Sequence, residues 1–295
     1  MKLTKTTHFD KDKGLIEVPM TLEEYQEACA HHYRQGAEFF GLFLDEMYMG
    51  YSCGVFENED DTLEEAMENK YDIFTGMLSG CDKVLEVGSG FGGLSRDLAD
   101  WNLTVDAYNI SKTQHDYCED RNTYKGKSIY PKLHYHNKCW TEITGAYDAI
   151  VSDEFIVHTG GCRLDFFKKM RSVIKDGGTF ALKNLSTNHT MNGCQDRANM
   201  ANIKIFGGNG TYPTYFETLR DADEAGFARE SSISIPIENY MKTSAAWKTR
   251  LLENADKLKE IDEELFHDCH RMFRLYDIMF RQGFLTVEMT KFVAV

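Results

Sequence analysis

Short β-branched runs alternate with amphipathic segments from residue 83 onward. The apolar runs are KVLEVG, LTVDAYN, DAIVSD and TFALKN, and the segments between them include GGLSRDLADW, SKTQHDYCEDRN and LDFFKKMRSVIK. The short runs predict strands, and the periodic segments predict helices. Strands separated by helices imply parallel βαβ units with right-handed crossovers, so we expect an α/β fold with a doubly wound, Rossmann-like sheet.

Helical patterns flank this core on both sides. Residues 21–31 and 62–78 each begin with Thr followed by paired Glu, which is typical of a helix N-terminus. The second of these segments leads directly into the first predicted strand. Residues 247–281 show helical periodicity, and the closing segment GFLTVEMTKFVAV alternates as a final strand would.

Composition and charge narrow the classes of function. The chain has 295 residues and a formal net charge of −14, which disfavours nucleic acid and anionic membrane as partners. We expect no membrane span, because no run of about eighteen apolar residues occurs, and the N-terminus lacks the apolar region of a secretory signal. The eight cysteines show no CxxC spacing, so we expect no metal site, reduced thiols and a cytoplasmic location.

The strongest local motif is VLEVGSGFGG at residues 84–93, where an apolar strand with the acid Glu86 runs into a glycine-rich turn. Glycines at Gly88, Gly90 and Gly92 allow a tight turn and close approach to a ligand at the carboxyl end of the first strand. The GxGxG spacing favours S-adenosylmethionine over a dinucleotide. Asn109 ends the second strand, where a dinucleotide-binding domain would present an acid to the ribose.

The region from residue 32 to 57, HYRQGAEFFGLFLDEMYMGYSCGVFE, is similar to the cyclopropane fatty acid synthase superfamily of class I methyltransferases. The resemblance continues through TLEEA, the glycine loop, NISKTQ at 109–114 and Cys-Trp at 139–140. It implies that these segments contact S-adenosylmethionine. The cofactor-binding positions that follow are Tyr33, Tyr51, Ser52, Glu86, Gly88, Gly90, Gly92, Asn109, Ile110, Ser111, Gln114, Cys139 and Trp140.

From the positions of these motifs, the sequence predicts four segments. They are an N-terminal helical extension that contributes to the cofactor site (1–80), an α/β cofactor-binding core (81–200), a substrate-covering loop and core strand region (201–246), and C-terminal helices with the last strand (247–295).

The resemblance also implies a bicarbonate site built from a Cys, a Glu, a His and a Tyr. Cys53 and Tyr240 match this set, whereas the family's Glu-His pair appears as Val157-His158 and its strand His appears as Lys183. The missing carboxylate argues against cyclopropanation.

Glu154 and His158 lie four residues apart in DEFIVHTG, so a helical turn would place both on one face. The arrangement resembles small-amine N-methyltransferases, which suggests that Glu154 holds a cationic amine and that His158, poised near neutral pH, accepts a proton. A carboxylate at a helix start and a buried structural histidine are the simpler alternatives.

Aromatic side chains fit the same chemistry, because their faces attract sulfonium and alkylammonium cations, although core packing explains them as well. Residues 203–216, a Gly-rich aromatic stretch, form either a substrate flap or a plain surface loop.

The sequence therefore predicts a methyltransferase acting on a small molecule, with N-methylation of an amine as the main hypothesis. Glu154, His158, Tyr240 and Cys53 are the candidate catalytic residues. Methylation or cyclopropanation of an unsaturated acyl chain, S- or C-methylation of a metabolite, and a cofactor-binding scaffold stay open as alternatives. The expected partner is a small methyl acceptor, without nucleic acid or stable membrane association, and a homodimer is compatible with the sequence.

Overall fold

The computed structural model describes residues 6–10, 14–18, 21, 24, 27, 30–124, 127–188 and 212–295. The strands are β1 (Thr6–Asp10), β2 (Gly14–Val18), β3 (Lys83–Val87), β4 (Thr104–Asn109), β5 (Thr123–Tyr124), β6 (Lys127–Ser128), β7 (Leu133–Asn137), β8 (Tyr147–Asp153), β9 (Ile174–Thr187), β10 (Phe227–Ile235) and β11 (Leu285–Ala294). The helices are α1 (Gly36–Phe40), α2 (Leu63–Met77), α3 (Gly93–Asp100), α4 (Lys112–Arg121), α5 (Arg163–Arg171), α6 (Tyr215–Glu224), α7 (Ile237–Glu253) and α8 (Ala255–Arg281).

Seven strands form one mixed sheet in the order β10-β11-β9-β8-β3-β4-β7. The pairs β3–β4, β4–β7, β3–β8 and β8–β9 are parallel, and β11 runs antiparallel to both β9 and β10. In the sheet, β4 lies on one side of β3, and the later strand β8 lies on its other side. This reversal opens a crevice at the carboxyl ends of β3, β4 and β8, where open α/β sheets bind their ligands.

Alternating side chains of the sheet enter two separate apolar layers, because successive strand residues point to opposite faces. Leu185 and Met289 belong to the layer that also contains helices α7 and α8, whereas Leu182 and Phe292 belong to the layer that includes Phe166 of α5. Residues on β9 with odd numbers therefore face the C-terminal helices, which form a cap over that side of the sheet.

Helix α2 shows why the predicted N-terminal signature is correct. The Thr62 side chain accepts from the backbone N–H of Glu65, and the Glu65 carboxylate accepts from the N–H of Thr62, which forms a capping box. Its buried face consists of apolar side chains except at Lys70, which is fully buried. The same reciprocal bonds join Thr21 and Glu24 in the preceding predicted helix.

Helix α8 bends at Asp262, whose backbone leaves the helical region (φ −160°, ψ 97°). The Asp262 carboxylate accepts from the backbone N–H of Leu265 (2.9 Å), Nε of Arg34 (2.9 Å) and Nε2 of Gln35 (2.9 Å). The bend thus ties the cap to the segment that precedes α1.

The predicted α/β fold is confirmed, including every strand expected between residues 83 and 187 and the closing strand β11. The predicted extension also contains the hairpin β1–β2, which the helical pattern did not indicate. Helix α7 begins at Ile237, before the predicted boundary at 247. In the part of the chain that the structure describes, no helix combines the length and apolar character that crossing a bilayer requires.

Candidate active site

A cavity lies at the carboxyl ends of β3, β4 and β8, below the cap. It contains about 1130 Å³ of empty space, part of it open to solvent. Side chains of the cap and of the segment before α2 close it opposite the sheet. Its described lining residues include Tyr33, Tyr51, Ser52, Glu86, Gly88, Gly90, Asn109, Ile110, Ser111, Gln114, Asp153, Glu154, Val157, His158, Leu185, Tyr212, Tyr240, Trp247, Met272 and Tyr276.

The glycine loop forms one wall of the cavity, and its glycines differ in what they do. Gly90 has φ +52°, and a Cβ built there would meet nothing within 4 Å, so its open side faces the space a ligand needs. Gly92 has φ +74° and caps α3, and a Cβ there would lie 2.6 Å from the hydroxyl of Tyr135. Gly92 therefore shapes the turn and is not among the described lining residues.

Glu86, the acid of the glycine motif, is buried in this wall. The Ser95 hydroxyl donates to its carboxylate, yet burial dominates and raises the pKa of Glu86 to about 7. A neighbouring hydroxyl, that of Ser89, is buried without a hydrogen-bond partner. Both groups are available to a polar ligand in the loop.

Asn109 uses its amide within the protein. Its Nδ2 donates to the carbonyl of Gly90 (3.0 Å) and to Oε1 of Gln114 (2.9 Å), and its Oδ1 accepts from the backbone N–H of Ser111 (3.1 Å). The side chain thereby fixes the glycine loop against the start of α4, whose N-cap is Ser111.

A second, smaller cavity adjoins the first and shares Asn109, Ile110 and Phe155 with it. Trp140 lines this space, and its buried indole N–H has no hydrogen-bond partner. An apolar slot with one unused donor suits a flat heteroaromatic ring such as adenine. Cys139 is buried next to Trp140 and is not among the described lining residues of either cavity.

Aromatic residues before α2 close the opposite side. The Tyr51 hydroxyl lies 3.3 Å from Nε2 of His32, and its ring packs on Trp247 of α7 with centroids 5.3 Å apart. Burial raises the pKa of Tyr51 well above its usual value, so the phenol stays neutral. Tyr33 packs edge-on against His158, with ring centroids 6.4 Å apart.

Two lysines and two carboxylates form a buried row of alternating charge next to the cavity, which we call the charge row: Lys70, Asp153, Lys183 and Glu154. Lys70 Nζ lies 2.9 Å from Oδ2 of Asp153, and Lys183 Nζ lies 3.0 Å from Oδ1 of the same residue. Lys183 also pairs with Glu154. Burial opposes the ionisation of Asp153, but the two ammonium groups outweigh it and lower the pKa of Asp153 to about 2.

The expected helical turn through Glu154 and His158 is wrong. Glu154 has φ +54°, a left-handed conformation, and the 3₁₀ helix that follows begins only at Ile156. The Glu154 carboxylate instead accepts from Lys183, from the Tyr240 hydroxyl (3.2 Å) and from the backbone N–H of Cys53 (2.9 Å).

His158 lines the cavity, but it is not poised near neutral pH as the sequence suggested. Burial lowers the pKa of His158 to about 4, so the imidazole is neutral at pH 7. Burial likewise raises the pKa of the Cys53 thiol to about 12, and this thiol donates to the carbonyl of Gly54 (3.2 Å). Cys53 therefore contributes its backbone N–H to the site, and its side chain is a neutral thiol.

Several residues of the site were missed by the sequence analysis. They are Lys70, Asp153, Trp247, Met272 and Tyr276. Tyr212 belongs to the stretch 203–216 predicted as a flap or loop, of which residues 203–211 lie outside the described residues. Lys70 has a signal in the sequence, because it occupies a position of the apolar face of α2 where a charge needs a buried partner. Asp153 also has a signal in the sequence, because it is the last residue of β8 and lies at the edge of the sheet where ligands bind. The aromatic cap residues lie on long amphipathic helices and look like ordinary core positions.

The fold, the open glycine loop and the slot beside Trp140 define a class I S-adenosylmethionine-dependent methyltransferase. Residues 20–290 match the family described as mycolic acid cyclopropane synthetase, and the chain belongs to that family. S-adenosylmethionine is its cofactor, and the glycine loop with Asn109, Ile110 and Trp140 would hold it.

Individual relatives agree with this assignment. The chain is 26% identical over 283 residues to the S-adenosylmethionine-dependent methyltransferase UmaA of Mycobacterium tuberculosis, covering 90% of this chain and 96% of UmaA. The solved mycolic acid cyclopropane synthase CmaA1, complexed with SAH and CTAB, superposes with a TM-score of 0.84 at 23% identity and covers 91% and 98% of the two chains. Coclaurine N-methyltransferase has a TM-score of 0.72 at 20% identity and covers 92% and 87%. At these identities the solved structures show the fold alone.

Among the described residues, no group of three or more His, Cys, Asp or Glu side chains is arranged to hold a metal ion.

Proposed function

We propose that this enzyme methylates a carbon–carbon double bond in an apolar, acyl-type acceptor. The observation that carries the proposal is the acceptor side of the cavity, where cap and strand residues form an aromatic and aliphatic wall. It consists of Leu185, Tyr212, Tyr240, Trp247, Met272 and Tyr276. The family's description and the name of CmaA1 refer to mycolic acids, which supports an acyl acceptor.

When bound, S-adenosylmethionine supplies an electrophilic methyl group attached to a sulfonium. In the proposed transfer, the π electrons of the acceptor form the new carbon–carbon bond, the carbon–sulfur bond breaks with its electrons remaining on sulfur, and positive charge passes to the acceptor. A proton then leaves the acceptor, and the product is methyl-branched or contains a cyclopropane ring.

The residues of this chain supply surroundings for that charge. Aromatic faces and the Glu154 carboxylate stabilise a cation, and the apolar wall excludes water that would trap it. His158 lines the cavity with a neutral imidazole, and in this proposal it takes the proton. A base whose pKa is about 4 is sufficient for this, because a C–H bond next to a carbocation is strongly acidic.

An amine acceptor is the second candidate, because the Asp153 and Glu154 carboxylates line the cavity and would attract an ammonium group. His158 fits it less well. An alkylammonium with a pKa of about 10 lies roughly 6 units above that of His158, so deprotonation by this imidazole would cost about 8 kcal/mol.

The test is an acceptor panel with isotopically methyl-labelled S-adenosylmethionine. Unsaturated acyl chains, offered as phospholipid and as thioester, compete with small primary and secondary amines, and products are identified by mass spectrometry. Label in the acyl chain supports the proposal, whereas label confined to the amines overturns it in favour of the second candidate.

A matched pair of variants connects the acceptor to the wall. Leu185→Ala and Leu182→Ala remove the same side chain from the same strand, but only Leu185 lines the cavity. We expect Leu185→Ala to change KM among acyl chains of different length and Leu182→Ala to leave that preference unchanged. An unchanged preference in both variants contradicts the assignment of the wall.

A further inference from the structure

The charge row presents its negative groups to the cavity and keeps its positive groups behind them. Asp153 and Glu154 are lining residues, whereas the side chains of Lys70 and Lys183 are fully buried on the far side of the carboxylates. Asp153 and Lys183 are direct cross-strand partners on β8 and β9, so their pairing is fixed by the register of the sheet. The row is neutral as a whole, and of its four members only the two acidic residues are among the described lining residues of the cavity.

Both the backbone and the side chain of Glu154 are held in place by contacts with neighbouring elements. Its backbone adopts φ +54°, a left-handed conformation that is unfavourable for a non-glycine residue, and its N–H donates to the carbonyl of Lys183 (2.8 Å). Three donors converge on the carboxylate: Lys183, the Tyr240 hydroxyl and the N–H of Cys53. Strained residues persist where the surroundings over-determine them, and they concentrate at functional sites.

We infer that Glu154 is a fixed counter-charge for the cation formed on the acceptor, not a proton acceptor, and that Lys183 is the positioning residue that holds it. The inference rests on the proposed function for the identity of that cation. Fixed charges aimed at the place where charge develops lower the barrier because they need no reorganisation during the reaction.

The pKa values of two hydrogen-bond donors, Lys183 and Tyr240, are evidence against proton transfer to Glu154. The nearby Asp153 and Glu154 charges raise the pKa of Lys183 despite its burial, and burial raises the pKa of Tyr240 well above its usual value. Both groups therefore keep their protons at neutral pH. Protonating Glu154 would withdraw a charge from hydrogen bonds that an ionised acceptor strengthens.

The experiment begins with Glu154→Gly, which removes the carboxylate and leaves its three donors facing an empty space. Glycine adopts φ +54° without strain, so the substitution adds no backbone strain, and the loss of the buried ion pair is read from the melting temperature without formate. Asn102→Gly is the matched control, because Asn102 is an exposed residue with φ +64° far from the site. We expect Glu154→Gly to lose activity on the order of 100-fold, and formate to recover most of it.

Binding is measured separately from turnover, on protein without cofactor and acceptor. Formate, with chloride at equal ionic strength as the reference, should raise the melting temperature of Glu154→Gly. It should not change that of the wild type or of Asn102→Gly. The added substitution Lys183→Met should abolish the response. A Glu154→Gly protein that ignores formate, or one that responds equally without Lys183, overturns the inference whatever the acceptor proves to be.

A series of carboxylates of similar size and different basicity separates a counter-charge from a base. Acetate and fluoroacetate should rescue Glu154→Gly turnover to the same extent at saturation, because only their charge is used. A rescue that grows with basicity is the behaviour of a general base and overturns the inference. Full activity of Glu154→Gly without any added anion overturns it as well. If no acyl acceptor is turned over, the proposed function fails while the binding measurement still decides whether the donors form an anion cradle.

Discussion

Replacing Lys183 with Met removes the centre of the charge row and should destabilise the protein strongly. Lys183 is fully buried and pairs with both Asp153 and Glu154. Methionine has a similar length and fills the same space, so the substitution removes the charge with little loss of packing. Two buried carboxylates then face each other with Lys70 as the remaining ammonium group in the row.

The structure sets the size of the effect. Removing one partner of a buried ion pair costs about 3–5 kcal/mol, because the other charge stays buried without compensation. Asp153 gives an independent measure: its pKa falls from the usual 3.8 to about 2, which corresponds to about 2 kcal/mol of stability. Because the folded pKa is lowered, this stability is present above pH 3.8 and is lost as the pH falls toward 2.

Urea unfolding of the wild type and of Lys183→Met at pH 7 measures the difference. Lys175→Met serves as the control, since Lys175 lies on the same strand and forms an exposed pair with Asp148, for which we expect about 1 kcal/mol or less. The deficit of Lys183→Met should also shrink on acidification, as the carboxylates take up protons. Equal losses in the two variants would show that the charge row does not stabilise the fold and would refute the reasoning.

Three further outcomes are expected. Glu86→Gln should flatten the pH dependence of the free energy of unfolding between pH 4.5 and about 7. The raised pKa of Glu86 means that about 3 kcal/mol of stability, present below pH 4.5, is lost from the wild type as the pH rises. An unchanged slope of unfolding free energy against pH in urea titrations contradicts this. Gly92→Ala should unfold at clearly lower urea than Gly177→Ala, since both have positive φ but only Gly92 has a neighbour, Tyr135, within 2.6 Å of an added Cβ. Trp140→Phe should weaken S-adenosylhomocysteine binding in calorimetry by about tenfold, the value of one hydrogen bond; unaltered affinity would remove Trp140 from the cofactor site.

Local sequence patterns correctly predicted the region in which elements that follow one another along the chain are also neighbours in the fold. Strands β3, β4, β8 and β9 and the helices α3, α4 and α5 follow from periodicity, whereas β5, β6 and β7 were not among the predicted runs. The crevice at Gly88 and Asn109 follows from the parallel connections. The insertion of β11 beside β9 is settled by long-range pairing, which no local window contains. The hairpin β1–β2 joins residues close in sequence, and the helical pattern after it did not indicate it.

The site was predictable where a residue acts through its neighbours in sequence and unpredictable where it acts across the fold. The glycine loop and Ser111 belong to the first kind. Glu154 was found, but its conformation and its partners Tyr240 and Lys183 belong to the second, because β8, β9 and α7 meet only in the folded protein. Helical spacing to His158 was the natural assumption for an isolated segment and fails because the sheet edge imposes a left-handed bend at Glu154.

The charge row has a consequence for how this sequence can change over evolutionary time. Its members come from α2, from β8 and the residue directly after it, and from β9, and each lysine balances a carboxylate on another part of the chain. A single charge reversal or loss leaves a buried ion unpaired, whereas a compensated exchange of both partners restores neutrality, so the effects of such changes are not additive. Viable descendants should therefore replace Lys183 and Glu154 together, and the two positions should covary across the lineage even though they stand far apart in sequence.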